Sequence, residues 1–142
     1  KFYKPSVDAF MEEAGKTQNL DGIRHSDFIQ RMDLAYAAAD IVISRSGAST
    51  VSELCAAHKA AIFVPSPNVA EDHQTHNAMA LVKKGAAVMI KDAEAEMKLM
   101  KTACDLLKND DKIGLMERNI AALAKTDAAM TIAEEVYRIT GR

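Results

Sequence analysis

The stretch DIVISRSGASTVSELCAAHKAAIFV, residues 40–64, decides the fold. Asp40–Ser44 is a short, almost continuous β-branched run, typical of a strand buried on both faces of a parallel sheet. A helical segment from about Thr50 to His58 follows, and a second apolar run, Ala60–Val64, ends at a Pro-x-Pro sequence. The order strand, helix, strand predicts two parallel strands joined by a crossover helix.

The same alternation extends in both directions. Beyond Asp92, which suits a helix N-cap, only helical periodicity remains, with turns expected at 109–112 and 125–127. We therefore predict an α/β fold, in which a Rossmann-like parallel sheet with flanking helices is followed by a helical C-terminal tail. The other expected elements are a helix over Pro5–Ala14, a short extended segment over Leu20–Arg24, a helix over Met32–Ala39, a loop over Pro65–Asp72, a helix over His73–Lys84 with Gly85 as its cap, and a strand over Ala86–Ile90.

Composition narrows the class of protein. The chain has 142 residues, enough for one domain with a real core. Its net charge of -2, from 18 basic and 20 acidic side chains, lacks the positive surface expected of a nucleic-acid-binding protein. The two cysteines show no metal-ligand spacing and no secretory signal is present, so we expect a cytoplasmic protein. Because Lys1–Lys4 run straight into a helix signal without an initiating methionine, we also expect an N-terminal truncation.

The turn Ser46-Gly47-Ala48 is the first candidate for ligand binding. Ligands of open α/β sheets bind beyond the carboxyl ends of the strands, where this turn follows the first predicted buried strand. Its glycine admits close approach of a ligand, and the helix that it opens has free N–H groups that suit a diphosphate. Many turns need a glycine for backbone reasons alone, so a purely structural interpretation stands beside this one.

Three polar side chains further along are also candidates for ligand binding. Taken alone, the residues favour Glu53 as the end of a Thr-Val-Ser-Glu capping box that begins at Thr50; the functional alternative is that it accepts ribose hydroxyls. Gln74 and Asn77 share a helical face and could bind sugar hydroxyls, while Asp72 before them serves as an N-cap. The neighbouring histidines lack the spacing of a metal site, so we expect no metal and no cofactor.

Taken together, DIVISRSGASTVSEL from Asp40, the Val-Pro at 64–65 and DHQTHNA from Asp72 closely resemble the C-terminal domain of the MurG family of peptidoglycan glycosyltransferases. The resemblance implies the second half of a GT-B fold, with residues 1–142 forming part of the C-terminal UDP-sugar-binding domain. It implies an inverting hexosyltransferase that moves N-acetylglucosamine from UDP-N-acetylglucosamine to lipid-linked muramoyl-pentapeptide. It favours the ribose-binding interpretation of Glu53 over the capping box.

The resemblance also assigns further roles and partners. It implies that the Ile29 backbone pairs with uracil, that Ser46, Gly47 and Ala48 lie beside the diphosphate and sugar, and that Gln74 and Asn77 hold the N-acetylglucosamine hydroxyls. The acceptor lipid and the catalytic base would lie in an N-terminal domain outside the chain, so the chain alone should be inactive. The parent enzyme should be peripheral on the inner face of the bacterial plasma membrane. The alternatives are another UDP-sugar glycolipid transferase or epimerase of this fold, and a non-catalytic flavodoxin-like binding module.

Overall fold

A computed structural model describes Ala9, 12–13, 22–24 and 26–141 of the chain. Contacts divide the chain into two compact units, residues 1–32 and residues 33–142. In the described residues the elements are α1 (Met32–Ala38), β1 (Val42–Ser44), α2 (Ala48–Ala56), β2 (Ala61–Phe63), a 3-10 turn (Ala70–Asp72), α3 (His73–Val82), β3 (Ala87–Met89), α4 (Asp92–Leu107), α5 (Asp110–Ala121) and α6 (Ala128–Thr140).

The three strands form a parallel sheet in the order β1-β2-β3, so the spatial order follows the chain order. Ile62 of β2 lies between Ile43 and Val88 in register. All of β2 is buried, whereas Ile43 in β1 is 41% exposed. The prediction that the first strand is buried on both faces is therefore wrong. In the described residues β1 is an edge strand, because it pairs with β2 alone.

Successive residues of β2 point to opposite faces of the sheet and define two core layers. Ala61 and Phe63 pack with Tyr36, Leu54 and side chains of α3, whereas Ile62 packs with side chains of α4 and α5. The sheet is thus covered by helices on both faces. This arrangement confirms the predicted α/β architecture.

Several helix boundaries differ from the predictions. The helix α2 begins at Ala48 and ends at Ala56, since His58 adopts a left-handed backbone with φ of 54°. Asp92 is the first residue of α4, after an N-cap at Lys91. The segment 109–112 is not a turn, because Oδ1 of Asn109 accepts the Lys112 N–H at 2.9 Å and starts α5 at once.

The helical tail is confirmed, but its apolar faces are not all buried. Met100, Cys104 and Leu107 of α4 are exposed, and the core contact of this helix comes from Ala103 and Leu106. In the described part of the chain α6 has no buried residue, so its apolar positions, Met130, Ile132, Val136, Tyr137 and Ile139, lie exposed.

The predictions for the first unit lie largely outside the described residues. Ala9, Glu12 and Glu13, which fall within the helix predicted over 5–14, are helical. The extended segment predicted over 20–24 differs where it is described, because Gly22 lies in a turn with φ of 87°.

No helix among the described residues has the length and apolar character needed to cross a bilayer.

Candidate functional site

Arg45 joins the three loops at the carboxyl ends of the strands. Its Nη1 donates to the carbonyl oxygens of Val64, at 3.0 Å, and Pro65, at 3.1 Å, both of which follow β2. The same guanidinium pairs with the carboxylate of Asp92, which follows β3. The sequence patterns predict no role for Arg45. Its place as a long cation directly after β1 could have indicated one, since parallel strands bring their following loops to one edge.

Ser46, Gln74 and Asn77 are brought together at the same edge. Ser46 is fully buried, and its Oγ donates to the Gln74 carbonyl oxygen at 2.8 Å. Nδ2 of Asn77 donates to the Ser46 carbonyl oxygen at 3.1 Å. These bonds dock the start of α3 onto the turn after β1. The Ser46 hydroxyl is therefore committed to the protein, and the backbone of this turn is what remains for a ligand.

Each of the two amides uses one end of its side chain on the protein. Oε1 of Gln74 accepts the Ser66 N–H at 2.9 Å, which fixes the loop after β2. Asn77 uses its Nδ2, as described above. The ends left to face a ligand are Nε2 of Gln74, a donor, and Oδ1 of Asn77, an acceptor. No buried side-chain nitrogen or oxygen within the described residues lacks a hydrogen-bond partner.

Gly47 precedes α2 and leaves open space above the turn. Its φ of -62° and ψ of 151° are accessible to any residue. A Cβ built on it meets no atom within 4 Å. Neither the backbone nor the packing of the chain therefore requires glycine here. Because α2 has no side-chain cap, the N–H groups that begin with Ala48 stay available to an anion.

Glu53 does not form the capping box that the residues alone favoured. The helix begins two residues before Thr50, so Thr50 is not the N-cap and Glu53 lies in the second turn. Oε2 of Glu53 accepts a hydrogen bond from the Tyr36 hydroxyl at 3.0 Å. Burial raises the pKa of Tyr36, and its hydrogen bond and proximity to the Glu53 carboxylate raise it further.

The loop between β2 and α3 has an unusual backbone. Glu71 and Asp72 are consecutive non-glycine residues in the left-handed region, with φ of 53° and 51°. Asp72 is the N-cap of α3, as predicted, but its side chain makes no capping bond. A cavity of about 490 Å³ beside this loop is lined by Asp72 together with residues that follow β2 and β3. Gly47, Glu53 and Gln74 do not line it.

Ile29 belongs to the first unit and is 48% exposed. With five neighbours between Ser26 and Met32 it lines a cavity of about 490 Å³. Ser26 Oγ donates to the Phe28 carbonyl oxygen at 2.9 Å and so shapes the backbone just before Ile29.

Within the described residues, no group of three His, Cys, Asp or Glu side chains is arranged to hold a metal ion.

A parallel sheet whose following loops converge beside an open helix start is the arrangement in which many α/β domains bind phosphate-containing ligands. The chain belongs to the family described as the glycosyltransferase family 28 C-terminal domain, whose model matches residues 4–136.

Individual relatives are similar along most of the chain. A UDP-N-acetylglucosamine–N-acetylmuramyl-(pentapeptide) pyrophosphoryl-undecaprenol N-acetylglucosamine transferase of Bacteroides thetaiotaomicron is 50% identical over 139 residues, which are 98% of this chain and 37% of the relative. The protein of that name in Parabacteroides distasonis is 55% identical over 114 residues, covering 80% of this chain and 31% of its own length. The chain therefore spans about a third of the length of the relatives that it matches.

A solved structure shares the fold. The crystal structure of Acinetobacter baumannii MurG superposes with a TM-score of 0.80 at 28% identity, covering 97% of this chain and 39% of that one. With the family match, this likeness confirms the predicted fold as the second half of a GT-B fold. The site residues predicted from the resemblance stay predictions.

Proposed function

We propose that this chain is the donor-binding, C-terminal part of a two-domain inverting glycosyltransferase. The complete enzyme would move N-acetylglucosamine from UDP-N-acetylglucosamine to lipid-linked muramoyl-pentapeptide, the reaction that forms the disaccharide precursor of peptidoglycan. The family match and the names of the relatives support this assignment. The observation that carries it is the pair of anchored amides, Gln74 and Asn77, beside the glycine turn that opens α2.

The proposed contacts follow from the polar ends that the protein leaves unused. Nε2 of Gln74 would donate to a sugar hydroxyl, and Oδ1 of Asn77 would accept from one. The diphosphate would approach the N–H groups at the start of α2 across Gly47, where open space meets the positive end of the helix dipole. The Glu53 carboxylate would accept ribose hydroxyls, and the Ile29 backbone would pair with uracil.

The chemistry assigned to this chain is orientation of the donor and stabilisation of the leaving group. When the acceptor hydroxyl attacks the anomeric carbon, negative charge develops on the departing diphosphate. Fixed N–H groups at a helix start are oriented for that charge before the reaction begins, and such preorganisation lowers the barrier. We assign no catalytic base to this chain, because that group would lie across the cleft in the acceptor-binding domain.

The remaining partners are proposed on the same basis. The lipid-linked acceptor would bind mainly through a domain beyond this chain. The complete enzyme would work in the cytoplasm as a peripheral protein on the inner face of the plasma membrane, where such a lipid is accessible.

Transfer of labelled N-acetylglucosamine tests the proposal. The full-length protein carrying this chain is assayed with UDP-N-acetylglucosamine and either muramoyl-pentapeptide lipid or diacylglycerol. We expect labelled product with the muramoyl lipid alone. Transfer to diacylglycerol would identify another glycolipid transferase, whereas release of epimerised UDP-sugar without an acceptor would identify an epimerase. Failure of calorimetric titration to detect UDP binding would support a non-catalytic module.

Matched variants locate the donor site. Asn77→Ala removes the proposed acceptor and should raise the KM for the donor by roughly 10-fold, as expected for one lost ligand hydrogen bond. Asn109→Ala removes an amide of the same type that caps α5 and faces no proposed ligand. It should lower the melting temperature without changing the KM. Equal KM values for both variants and the unaltered enzyme would remove Asn77 from the site.

A further inference from the structure

Tyr36, a buried residue, places its hydroxyl against the carboxylate of the exposed Glu53. The Tyr36 side chain packs in the core with Leu54 and Cys55 and is 9% exposed. Its hydroxyl donates to Oε2 of Glu53 at 3.0 Å, across 17 positions of sequence. Glu53 itself lies on the solvent-facing side of α2. The bond therefore links the side chain of Glu53, of a type that is flexible on a helix surface, to the side chain of Tyr36, which is held in the core.

The physical effect of this bond is to restrict the carboxylate. A glutamate on a helix surface samples several rotamers, and binding a ligand in one of them costs conformational entropy. Tyr36 cannot follow such motion because its ring is held between core side chains. Since burial and Glu53 raise the pKa of Tyr36, the phenol stays protonated and remains a donor at physiological pH.

We infer that Tyr36 is a positioning residue that holds the Glu53 carboxylate in the orientation needed to accept the ribose hydroxyls of the nucleotide. This inference rests on the proposed function and adds a residue to it. Oε2 keeps a second lone pair after accepting from Tyr36, and Oε1 keeps both, so the carboxylate can still accept two hydroxyls at once. Tyr36 itself touches no ligand atom in this arrangement.

The role of Tyr36 can be tested through the enzyme's specificity for the ribose hydroxyls. If Tyr36 acts through Glu53, its loss should weaken recognition of the ribose hydroxyls and of nothing else. If Tyr36 only supports the fold, its loss should weaken binding of every nucleotide alike. A ligand lacking one ribose hydroxyl therefore separates the two roles.

The experiment compares Tyr36→Phe with the unaltered full-length enzyme. Phenylalanine retains the buried ring, and Tyr137→Phe provides a matched control at an α6 side chain that is 61% exposed. For each protein, kcat and KM are measured with UDP-N-acetylglucosamine and with its 2′-deoxyribose analogue. A lost hydrogen bond to a charged group should make the analogue's KM roughly 10-fold higher in the unaltered enzyme. In Tyr36→Phe we expect that ratio to fall to roughly 3-fold, with kcat changing less than 2-fold.

Repeating the comparison in the Glu53→Ala variant separates an effect of Tyr36 on Glu53 from an effect of Tyr36 on folding. In Glu53→Ala the analogue should bind as well as the natural donor, and adding Tyr36→Phe should then leave the KM ratio unchanged. Calorimetric titration with UDP and 2′-deoxy-UDP supplies the same ratios without an acceptor, so it applies even if no transfer occurs.

The outcomes separate the two proposals. An unaltered ratio in Tyr36→Phe, or an equal rise in KM for both donors, would overturn the role of Tyr36 and leave the proposed function standing. No discrimination by the unaltered enzyme would overturn the ribose contact of Glu53 and the role of Tyr36 together. Absence of both transfer and UDP binding would overturn the proposed function itself, and the inference with it.

Discussion

Replacing Ser46 with alanine isolates the contact that docks α3 onto the turn after β1. The hydroxyl is fully buried and donates to the Gln74 carbonyl oxygen at 2.8 Å. Gln74 lies in the first turn of α3, so its carbonyl keeps the helical bond from four residues on. The loss is therefore one buried hydrogen bond and a small void, about 1–2 kcal/mol of unfolding free energy.

Ser52→Ala is the matched control. The Ser52 hydroxyl also donates to a carbonyl oxygen, that of Ala48 at 3.0 Å, but it lies exposed on α2. Such a bond within a helix contributes little, and we expect a change below about 0.5 kcal/mol. Urea unfolding followed by circular dichroism measures both variants, and about 1.5 kcal/mol corresponds to a fall of roughly 3–6 °C in Tm.

The two serines should also differ in function. Ser46→Ala loosens Gln74, so the full-length enzyme should show a higher KM for the donor, whereas Ser52→Ala should leave the KM as it is. Equal stability losses in the two variants would refute the reasoning, because burial would then not decide the strength of the bond. A destabilised Ser46→Ala with an unchanged KM would show that docking of α3 does not govern the donor site.

The remaining predictions concern the same edge of the sheet and the two thiols. Gly47→Ala should change the unfolding free energy by less than about 1 kcal/mol yet raise the donor KM, and an unchanged KM would show that no ligand approaches this turn. Asp92→Asn removes an exposed ion pair, so urea unfolding should show that the free energy of unfolding falls by less than about 1 kcal/mol, and by less in concentrated salt. Arg45→Met also removes two hydrogen bonds to carbonyl oxygens, so its free energy of unfolding should fall further. Mass spectrometry after maleimide treatment should find one adduct, at exposed Cys104, until denaturant exposes Cys55. Burial raises the pKa of Cys55 from its ordinary value of 9.0, so its contribution to stability is complete below that pH and is lost as pH rises through the folded-state value; Cys55→Ala should flatten the decline.

The fold can be predicted from the sequence because each of its elements is indicated by residues within one short segment. The β-branched run at 41–43 and the apolar run at 60–64 identify strands by composition, and the helical spacing between them identifies the crossover. The exposure of Ile43 could not be read in this way. It depends on which strands lie side by side, and a run of β-branched residues is the same at an edge as in the centre.

Helix starts depended on side-chain bonds that have competing partners. Thr50 and Glu53 match a capping box, but α2 begins at Ala48 and Glu53 bonds Tyr36 instead. Asn109 was assigned to a turn, although its side chain starts α5. Which bond such a side chain forms depends on where the helix begins and on what lies beside it in the fold, and neither is encoded in the local sequence.

Predictions for the site identified residue types better than residue relationships. The spacing of Gln74 and Asn77 identifies them as a pair, and in the structure the Gln74 backbone carbonyl and the Asn77 side chain both bond to Ser46. The bond from Ser66 to Gln74, the bond from Tyr36 to Glu53 and the three contacts of Arg45 were not foreseen. All of them join segments through the register of the folded chain, which spacing within one segment does not encode.

The dual use of Gln74 has an evolutionary consequence. One amide group holds the loop after β2 with its oxygen and, under the proposed function, binds the sugar with its nitrogen, so a substitution there should change loop geometry and ligand preference in the same step. A lineage that adapted to a different sugar could not retune this position alone. A neighbouring side chain would first need to take over the bond to Ser66. Substitutions at position 74 and at that neighbouring position should therefore be correlated among sequences that differ in donor.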